Sequence, residues 1–138
     1  MRKYLNIIKS MYNDPKFKVE VEGFESYWHV QTTGIRQGCP LSPFLFVIVM
    51  DVLMSDVHSI LCSHVGDLAD LIHEILYSDD ILVMAEDGEL TQLYMDIIAK
   101  QGSYYGLSFN WSKLQYISIG CDPGLVQENG EAIERVHN

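Results

Sequence analysis

Apolar residues Tyr4, Leu5, Ile7, Ile8, Met11 and Tyr12 recur at the three- and four-residue spacing of a helix, and Asn13-Asp14-Pro15 ends the run. From there the rhythm changes. Phe17, Val19 and Val21 alternate with Lys16, Lys18, Glu20 and Glu22 up to Gly23, the two-residue period of a half-buried strand. Residues 27–32 supply a partner of mixed face, so 16–33 read as a hairpin with a loose loop over 23–26. Trp28 and His29 lie on it. His29 reads as an ordinary strand residue, because no second His or Cys stands at ligand spacing nearby. A glycine-punctuated stretch, TTGIRQGCPLSP, then leads into a run that is apolar nearly all round. Ser42-Pro43 reads as a helix start, with the hydroxyl as N-cap and the proline at the first helical position. The helix is expected from residue 43 to about 61, with its first half buried on several sides. Residues 62–73 are poorly patterned and read as the end of that helix plus a connection.

The pattern sharpens again at Glu74-Ile75-Leu76-Tyr77-Ser78-Asp79-Asp80-Ile81-Leu82-Val83-Met84-Ala85-Glu86. Two short β-prone runs flank Ser78-Asp79-Asp80, which predicts strand, tight turn, strand, with both carboxylates at the bend. Neighbouring side chains in a regular strand point to opposite faces, so only a turn lets both acids approach one ligand. Hard carboxylate oxygens suit Mg²⁺ or Mn²⁺. The plainer reading is turn chemistry, since Asp favours bends for its own backbone hydrogen bonding. Beyond Glu86-Asp87-Gly88, residues Leu90, Leu93, Tyr94, Ile97 and Ile98 mark another amphipathic helix, with Gly102 or Gly106 near its end. A turn over 110–113 carrying Lys113, a strand over 115–119, and an Asn129-Gly130 hairpin turn anchored by Ile133 and Val136 complete the chain.

At 138 residues the chain has the length of about one domain, and no internal repeat or linker divides it. The net charge of −10, with nine Lys plus Arg, excludes a protein that holds phosphates by bulk positive charge. Three widely spaced cysteines, Cys39, Cys62 and Cys121, indicate neither a disulfide framework nor a zinc site. They favour a reducing, intracellular location, nuclear or cytoplasmic, and the N-terminal run is wrong for a secretion signal. The most apolar segment, residues 44–54, contains Asp51 and is shorter than the roughly 20 residues a membrane span needs. No membrane segment is expected.

Three stretches, in this order and at these separations, resemble the reverse transcriptases of non-LTR (LINE-type) retrotransposons. Gly34-Ile35-Arg36-Gln37-Gly38-Cys39-Pro40-Leu41-Ser42-Pro43 resembles polymerase motif B, and Tyr77-Ser78-Asp79-Asp80 resembles motif C, usually an aromatic, Ala, Asp, Asp. Gly106-Leu107-Ser108-Phe109-Asn110-Trp111-Ser112-Lys113 is similar to motif D. The opening helix and the closing NGEAIERVHN also resemble the segments that flank these motifs, so the likeness covers nearly the whole chain.

The resemblance implies an α+β fold: a partial right-hand polymerase palm, a small antiparallel sheet backed by helices, with part of the fingers. Residues 1–138 would form a single partial domain with motif B at 34–43, motif C at 77–80 and motif D at 106–113. It implies RNA-directed DNA polymerase chemistry, in which two Mg²⁺ or Mn²⁺ ions promote addition of dNTPs to a DNA primer on an RNA template. Asp79 and Asp80 would be catalytic metal ligands and Lys113 a charge stabiliser or proton donor at the triphosphate. Arg36, Gln37 and Gly38 would bind substrate. Nothing here resembles motif A, which carries the third carboxylate, and the primer grip and thumb are absent. These residues alone are therefore expected to be inactive and to bind nucleic acid weakly; the alternative is a dead retroelement remnant acting, if at all, as a small binding protein.

Overall fold

The computed structural model describes residues 2–32, 34–36 and 38–136, in two compact units, Met1–Cys39 and Pro40–Asn138. In the first unit, helix α1 (Arg2–Tyr12) follows the expected periodicity and stops at the asparagine that precedes Asp14-Pro15. The hairpin beyond it is tighter than the sequence suggested. Strands β1 (Lys16–Phe17) and β4 (His29–Val30) pair antiparallel, and within them β2 (Glu20–Val21) pairs with β3 (Phe24–Glu25). A two-residue turn joins β2 to β3, with Glu22 at φ 51° and Gly23 at φ 84°. Positive φ at both central residues is the requirement of a type I′ turn. The loose loop over 23–26 is thus replaced by a turn one residue earlier; Glu-Gly carries a weaker turn signal than Asn-Gly, which is why the sequence hid it.

The register slips by one residue between the two halves of this hairpin, from Phe17↔His29 to Glu20↔Glu25. The extra residue is absorbed at Ser26-Tyr27 opposite Val19: Ser26 N donates to the Val19 carbonyl at 2.8 Å, and Val19 N donates to Ser26 Oγ at 3.0 Å. Such a bulge bends the strand and re-aims its side chains. No described residue of this unit is buried.

The second unit is built on helix α2 (Ser42–Val65), which continues through a 3₁₀ turn (Gly66–Leu71) into the hairpin β5 (His73–Tyr77) and β6 (Asp80–Met84). Two of the expectations for α2 need correction. Leu41, not Ser42, is the N-cap, and it makes no side-chain capping bond; Ser42 is already helical and buried. The first half is also far from enclosed. Met50, Leu53, Met54, Val57 and Leu61 form a buried stripe at helical spacing, whereas Phe44, Val47, Ile48 and Val52 on other faces are exposed. An all-apolar helix buries every side only when neighbours exist on every side. By length and composition α2 and its extension would qualify as a membrane span. Its stripe packs instead with Leu90, Tyr94, Ile97 and Ile98 of α3 (Gly88–Tyr104), and these form the core.

Helix α3 is bounded at both ends by side-chain and backbone chemistry. Asp87 caps the start, accepting from Leu90 N at 2.7 Å. At the other end Gly106 takes φ 71°, Leu107 N donates to the Gly102 carbonyl at 2.9 Å, and Gly106 N donates to the Ser103 carbonyl at 3.1 Å. This is a Schellman motif, which needs the left-handed conformation at that glycine. It turns the chain sharply into residues 107–113, ending in a 3₁₀ turn (Trp111–Lys113) at the expected place.

Only Gln115–Tyr116 (β7) of the expected 115–119 strand is paired, in parallel with β8 (Glu134–Arg135). Ile117 and Ile119 are exposed. The Asn129-Gly130 turn forms as read: Val126 bridges Ala132, and Glu131 N donates to Asn129 Oδ1 at 2.9 Å. Ile133 is an anchor, but Leu125, which the sequence reading passed over, is buried with it against Met95. The Gln92 side chain clips this segment to α3 through both main-chain groups of Val126, donating to its carbonyl at 3.0 Å and accepting from its N–H at 2.8 Å. Tyr116, Gly124 N–H and Arg135 all donate to Asp122, at 2.8 Å, 3.2 Å and 2.9 Å, and together, the Tyr116 bond foremost, they hold its carboxyl below the usual range. The whole is an α+β arrangement of three antiparallel strand pairs and one parallel pair among the described residues.

Candidate functional site

The β5–β6 hairpin places two carboxylates at its tip. Tyr77 pairs with Asp80 across the strands, leaving Ser78 and Asp79 as the two turn residues. Only Ser78 has positive φ, 57°, the pattern of a type II′ turn, where glycine is usual at this first position. A serine there stores backbone strain of about 1–2 kcal/mol. The hairpin is oriented by its inner face: Ile81 and Val83 pack on the α2–α3 core, while their neighbours Asp80, Leu82 and Met84 are exposed. Cross-strand partners share a face, so Ile75, paired with Leu82, also lies outward.

Ile75-Leu76-Tyr77 and Ile81-Leu82-Val83-Met84 flank the two acids with apolar residues, a setting in which an unpaired charge is costly. In the structure both Asp79 and Asp80 are exposed, and neither forms an ion pair or side-chain hydrogen bond among the described residues. Solvation does the compensating. Asp79 stands on the turn and Asp80 at the first position of β6, both at the exposed tip of the hairpin.

Both acids line a cleft of about 480 Å³. Its floor is Phe46, Met50 and Leu53 of α2 with Ile98 and Gly102 of α3, and its far wall is the chain released by the Schellman turn, including Asn110 and Lys113. The structure therefore brings Asp79, Asp80 and Lys113 to one opening from segments more than thirty residues apart in sequence. Lys113 makes no salt bridge across it, so its ammonium and the two carboxylates are all available to a ligand among the described groups. Ser108 and Gln115 line the same cleft and were not singled out by sequence. They adjoin residues that were, which is the only signal they carry.

Of the motif B stretch, residues 34–39 belong to the other unit and residues 40–43 to this one. Gly34 and Gly38 adopt φ 82° and 77°, which only glycine takes without strain. Arg36 is half-buried and its guanidinium donates to the Met11 carbonyl at 3.0 Å. That bond satisfies one of the unpaired carbonyls in the last turn of α1 and places a cation at the negative end of its dipole. Gln37 lies outside the described residues.

Comparison with known proteins gives this arrangement its family. Residues 1–131 match the family described as Reverse transcriptase (RNA-dependent DNA polymerase). The chain belongs to the reverse transcriptase family. It is 28% identical over 120 residues to the Retrovirus-related Pol polyprotein from type-2 retrotransposable element R2DM of Drosophila melanogaster, covering 87% of this chain and 11% of that protein. It is 35% identical over 86 residues to the corresponding polyprotein from type-1 retrotransposable element R2 of Nasonia vitripennis, 61% of this chain and 8% of the relative. The R2 polyprotein of Popillia japonica is 29% identical over 107 residues, 76% and 15%. These relatives come from non-LTR elements, the branch the motifs resemble. The chain thus spans 8% to 15% of the length of the relatives it matches. No solved structure matches it.

The hairpin tip can be tested for the divalent ion the family implies. Mg²⁺ in phosphoryl-transfer sites is bound through one or two carboxylates, with waters and substrate phosphates filling its octahedron. Two hard, solvated, unengaged carboxylates at one bend fit that in kind. They do not make a full protein cage, and no group of three or more His, Cys, Asp or Glu able to hold a metal occurs among the described residues. The donors suit an ion that arrives with substrate.

Proposed function

We propose that this chain is the motif B to D part of a reverse transcriptase palm, with part of the fingers, and that its acidic cleft serves RNA-directed DNA synthesis in a longer parent protein. The observation that carries this reading is the convergence of Asp79, Asp80 and Lys113 on one cleft in a chain of this family. Asp79 and Asp80 would hold the divalent ions, Mg²⁺ or Mn²⁺, with Asp79 the more central ligand. Bound there, such ions lower the barrier to attack by a primer 3′-OH and offset charge on the triphosphate. Lys113, on the opposite wall, lies where it neutralises the triphosphate or gives a proton to the departing pyrophosphate. Gln37 and Gly38 border the incoming nucleotide and template, glycine permitting close backbone approach. Arg36 acts in this reading by fixing the motif B loop to the end of α1, which leaves its direct contact with substrate to be carried by its remaining donors. RNA template, DNA primer and dNTPs are the partners, and the site of action is nuclear or cytoplasmic.

Two carboxylates do not complete a two-metal site. The family's third has no counterpart in these 138 residues, so the chain by itself is proposed to be inactive. The test is primer extension on an RNA template with dNTPs and Mg²⁺, comparing the chain alone with the chain joined to an upstream segment bearing a motif A Asp. Extension is expected only from the joined form, and Asp79→Asn is expected to remove at least about 100-fold of it, the scale on which losing a charge-stabilising group acts. A joined form that never extends would favour the remnant reading, a former polymerase acting as a small binding protein, whereas extension that survives Asp79→Asn would remove Asp79 from the catalytic site.

A further inference from the structure

The β5–β6 hairpin borders a second opening, at the end away from its acidic tip. It is a pocket of about 230 Å³, smaller than the roughly 300–1,000 Å³ of a drug-sized site, and so takes a head group and not a large ligand. It shares no lining residue with the cleft, which takes the hairpin tip and the first half of α2, whereas the pocket takes the base of β5 and a later part of the helix. Its apolar wall is Leu61, Ala69 and Ile72, and His58, His73 and Glu74 stand exposed at its mouth. Tyr94 of α3 lines it from inside, 2% exposed, and its hydroxyl makes no hydrogen bond to any described residue. A phenol buried this far ordinarily finds a partner, because an unpaired polar group out of water is costly.

The fixed charge around this pocket has one sign. Residues 1–39 hold six of the chain's nine basic residues against four acids; residues 40–138 hold three basic residues against fifteen acids. From residue 37 to residue 99, the stretch that supplies the whole lining, there are eleven acids and no lysine or arginine. Glu74 belongs to none of the salt bridges among the described residues. Desolvation holds its carboxyl above the ordinary range, and His58 lowers it by less. A carboxylate that gives up water and gains no cation from its own chain is half of an ion pair. The missing half is not a metal ion in kind, since no three His, Cys, Asp or Glu side chains among the described residues are grouped to hold one.

We infer that this pocket binds an organic cation, a guanidinium head on a short aliphatic stem, with Glu74 and the Tyr94 hydroxyl accepting N–H bonds from the head and Leu61, Ala69 and Ile72 covering the stem. A guanidinium suits the site better than an ammonium. It is more weakly hydrated, so entering a partly dry pocket costs it less, and its five donors in a planar fork serve acceptors on more than one element. The head can belong to a free small cation or to an arginine side chain of a protein, and the recognition is the same. No group of the pocket belongs to the cleft, so binding here is separate from polymerisation.

The test titrates the 138-residue chain with propylguanidine in about 0.15 M salt, at a pH of about 7.5, above the ordinary histidine value of about 6.5, and follows the histidine ring signals by proton NMR. The signals of His58 and His73, assigned from His58→Asn and His73→Asn, are expected to shift along one saturable curve while that of His29, in the first unit, stays in place. Propylurea, which has the same shape and no charge, is expected to produce no shift. Glu74→Gln is expected to weaken binding by about tenfold or more and Tyr94→Phe by about fivefold, the scales of a charged and of a neutral hydrogen bond. Both variants keep the packing volume, and far-UV circular dichroism confirms that each remains folded. Glu128→Gln, which removes the same charge from an exposed site elsewhere in the second unit, is expected to leave the affinity unchanged. Acetyl-Gly-Arg-Gly-amide separates the two sources: binding as tight as propylguanidine assigns the head to a protein side chain, and weaker binding assigns it to a free cation. An equal effect of propylurea, shifts that never saturate, an affinity unchanged in either pocket variant, or an equal loss in Glu128→Gln and Glu74→Gln would overturn the site.

Discussion

Glu74 stands opposite Val83 on the hairpin face turned toward the core, and desolvation raises its carboxyl above the ordinary range, with His58 pulling it down by a smaller amount. A raised folded-state value means that this residue's contribution to stability is full below the unfolded value of about 4.3 and falls as pH rises through the folded one. Glu74→Gln is therefore expected to raise Tm at neutral pH and to leave it unchanged near pH 4. Because the side chain is largely exposed, the gain is expected to stay below about 1 kcal/mol. Thermal unfolding of both proteins across that pH range checks it; a gain that does not vary with pH would remove the charge as its cause. Residues of this kind mark the limit of what sequence conveys. Asp79 was legible at the bend because two β-prone runs flank it, whereas Asp80 begins β6 and the solvated surroundings of both acids were hidden by their apolar flanks. Arg36 was legible as a cation in a glycine loop, while its bond to the carbonyl of Met11, twenty-five residues back, depends on how the chain returns.

Helices were the most readable elements, since α1 and α3 repeat their apolar positions over several turns and α2 is a long unbroken run. Strands paired over only two residues, such as β7 and β8, leave no period to detect. The junction between elements is equally silent. A Cβ on Gly88, in the first turn of α3, would lie 2.4 Å from Pro123 Cβ and 3.2 Å from its Cα. Alanine would favour the helix by up to about 1 kcal/mol, but overpacking typically costs about 1–3 kcal/mol. Clash outweighs propensity, and Gly88→Ala is expected to destabilise the second unit by about 1–2 kcal/mol. Urea unfolding gives the comparison, and an equal or higher midpoint would mean that Pro123 yields without resistance. The acidic cleft depends on such junctions, because its far wall follows directly from the Schellman turn that ends α3.

In the second unit apolar surface remains open on Phe44, Val47, Ile48 and Val52 of α2 and on Ile75 and Leu82 of the outer face of the β5–β6 hairpin, among other places. Burying one such side chain is worth about 1.5–3 kcal/mol, so the isolated chain is expected to self-associate and to unfold over a broad range. Sedimentation velocity with a thermal scan decides this; a monodisperse monomer with a sharp transition would show that the exposed stripe is tolerated. Family membership was legible because motifs B, C and D keep their order, whereas the division of charge between the two units emerged only once the structure drew the boundary after Cys39. The clip made by Gln92 bears on how such a chain changes over time. One side-chain amide grips the main chain of Val126, the two groups every residue except proline possesses, so it recognises a backbone and not a side chain. Position 126 is then open to substitution by nearly any residue that keeps its N–H, whereas position 92 tolerates few, and the C-terminal segment can drift in sequence around Leu125 and Ile133 while its attachment survives.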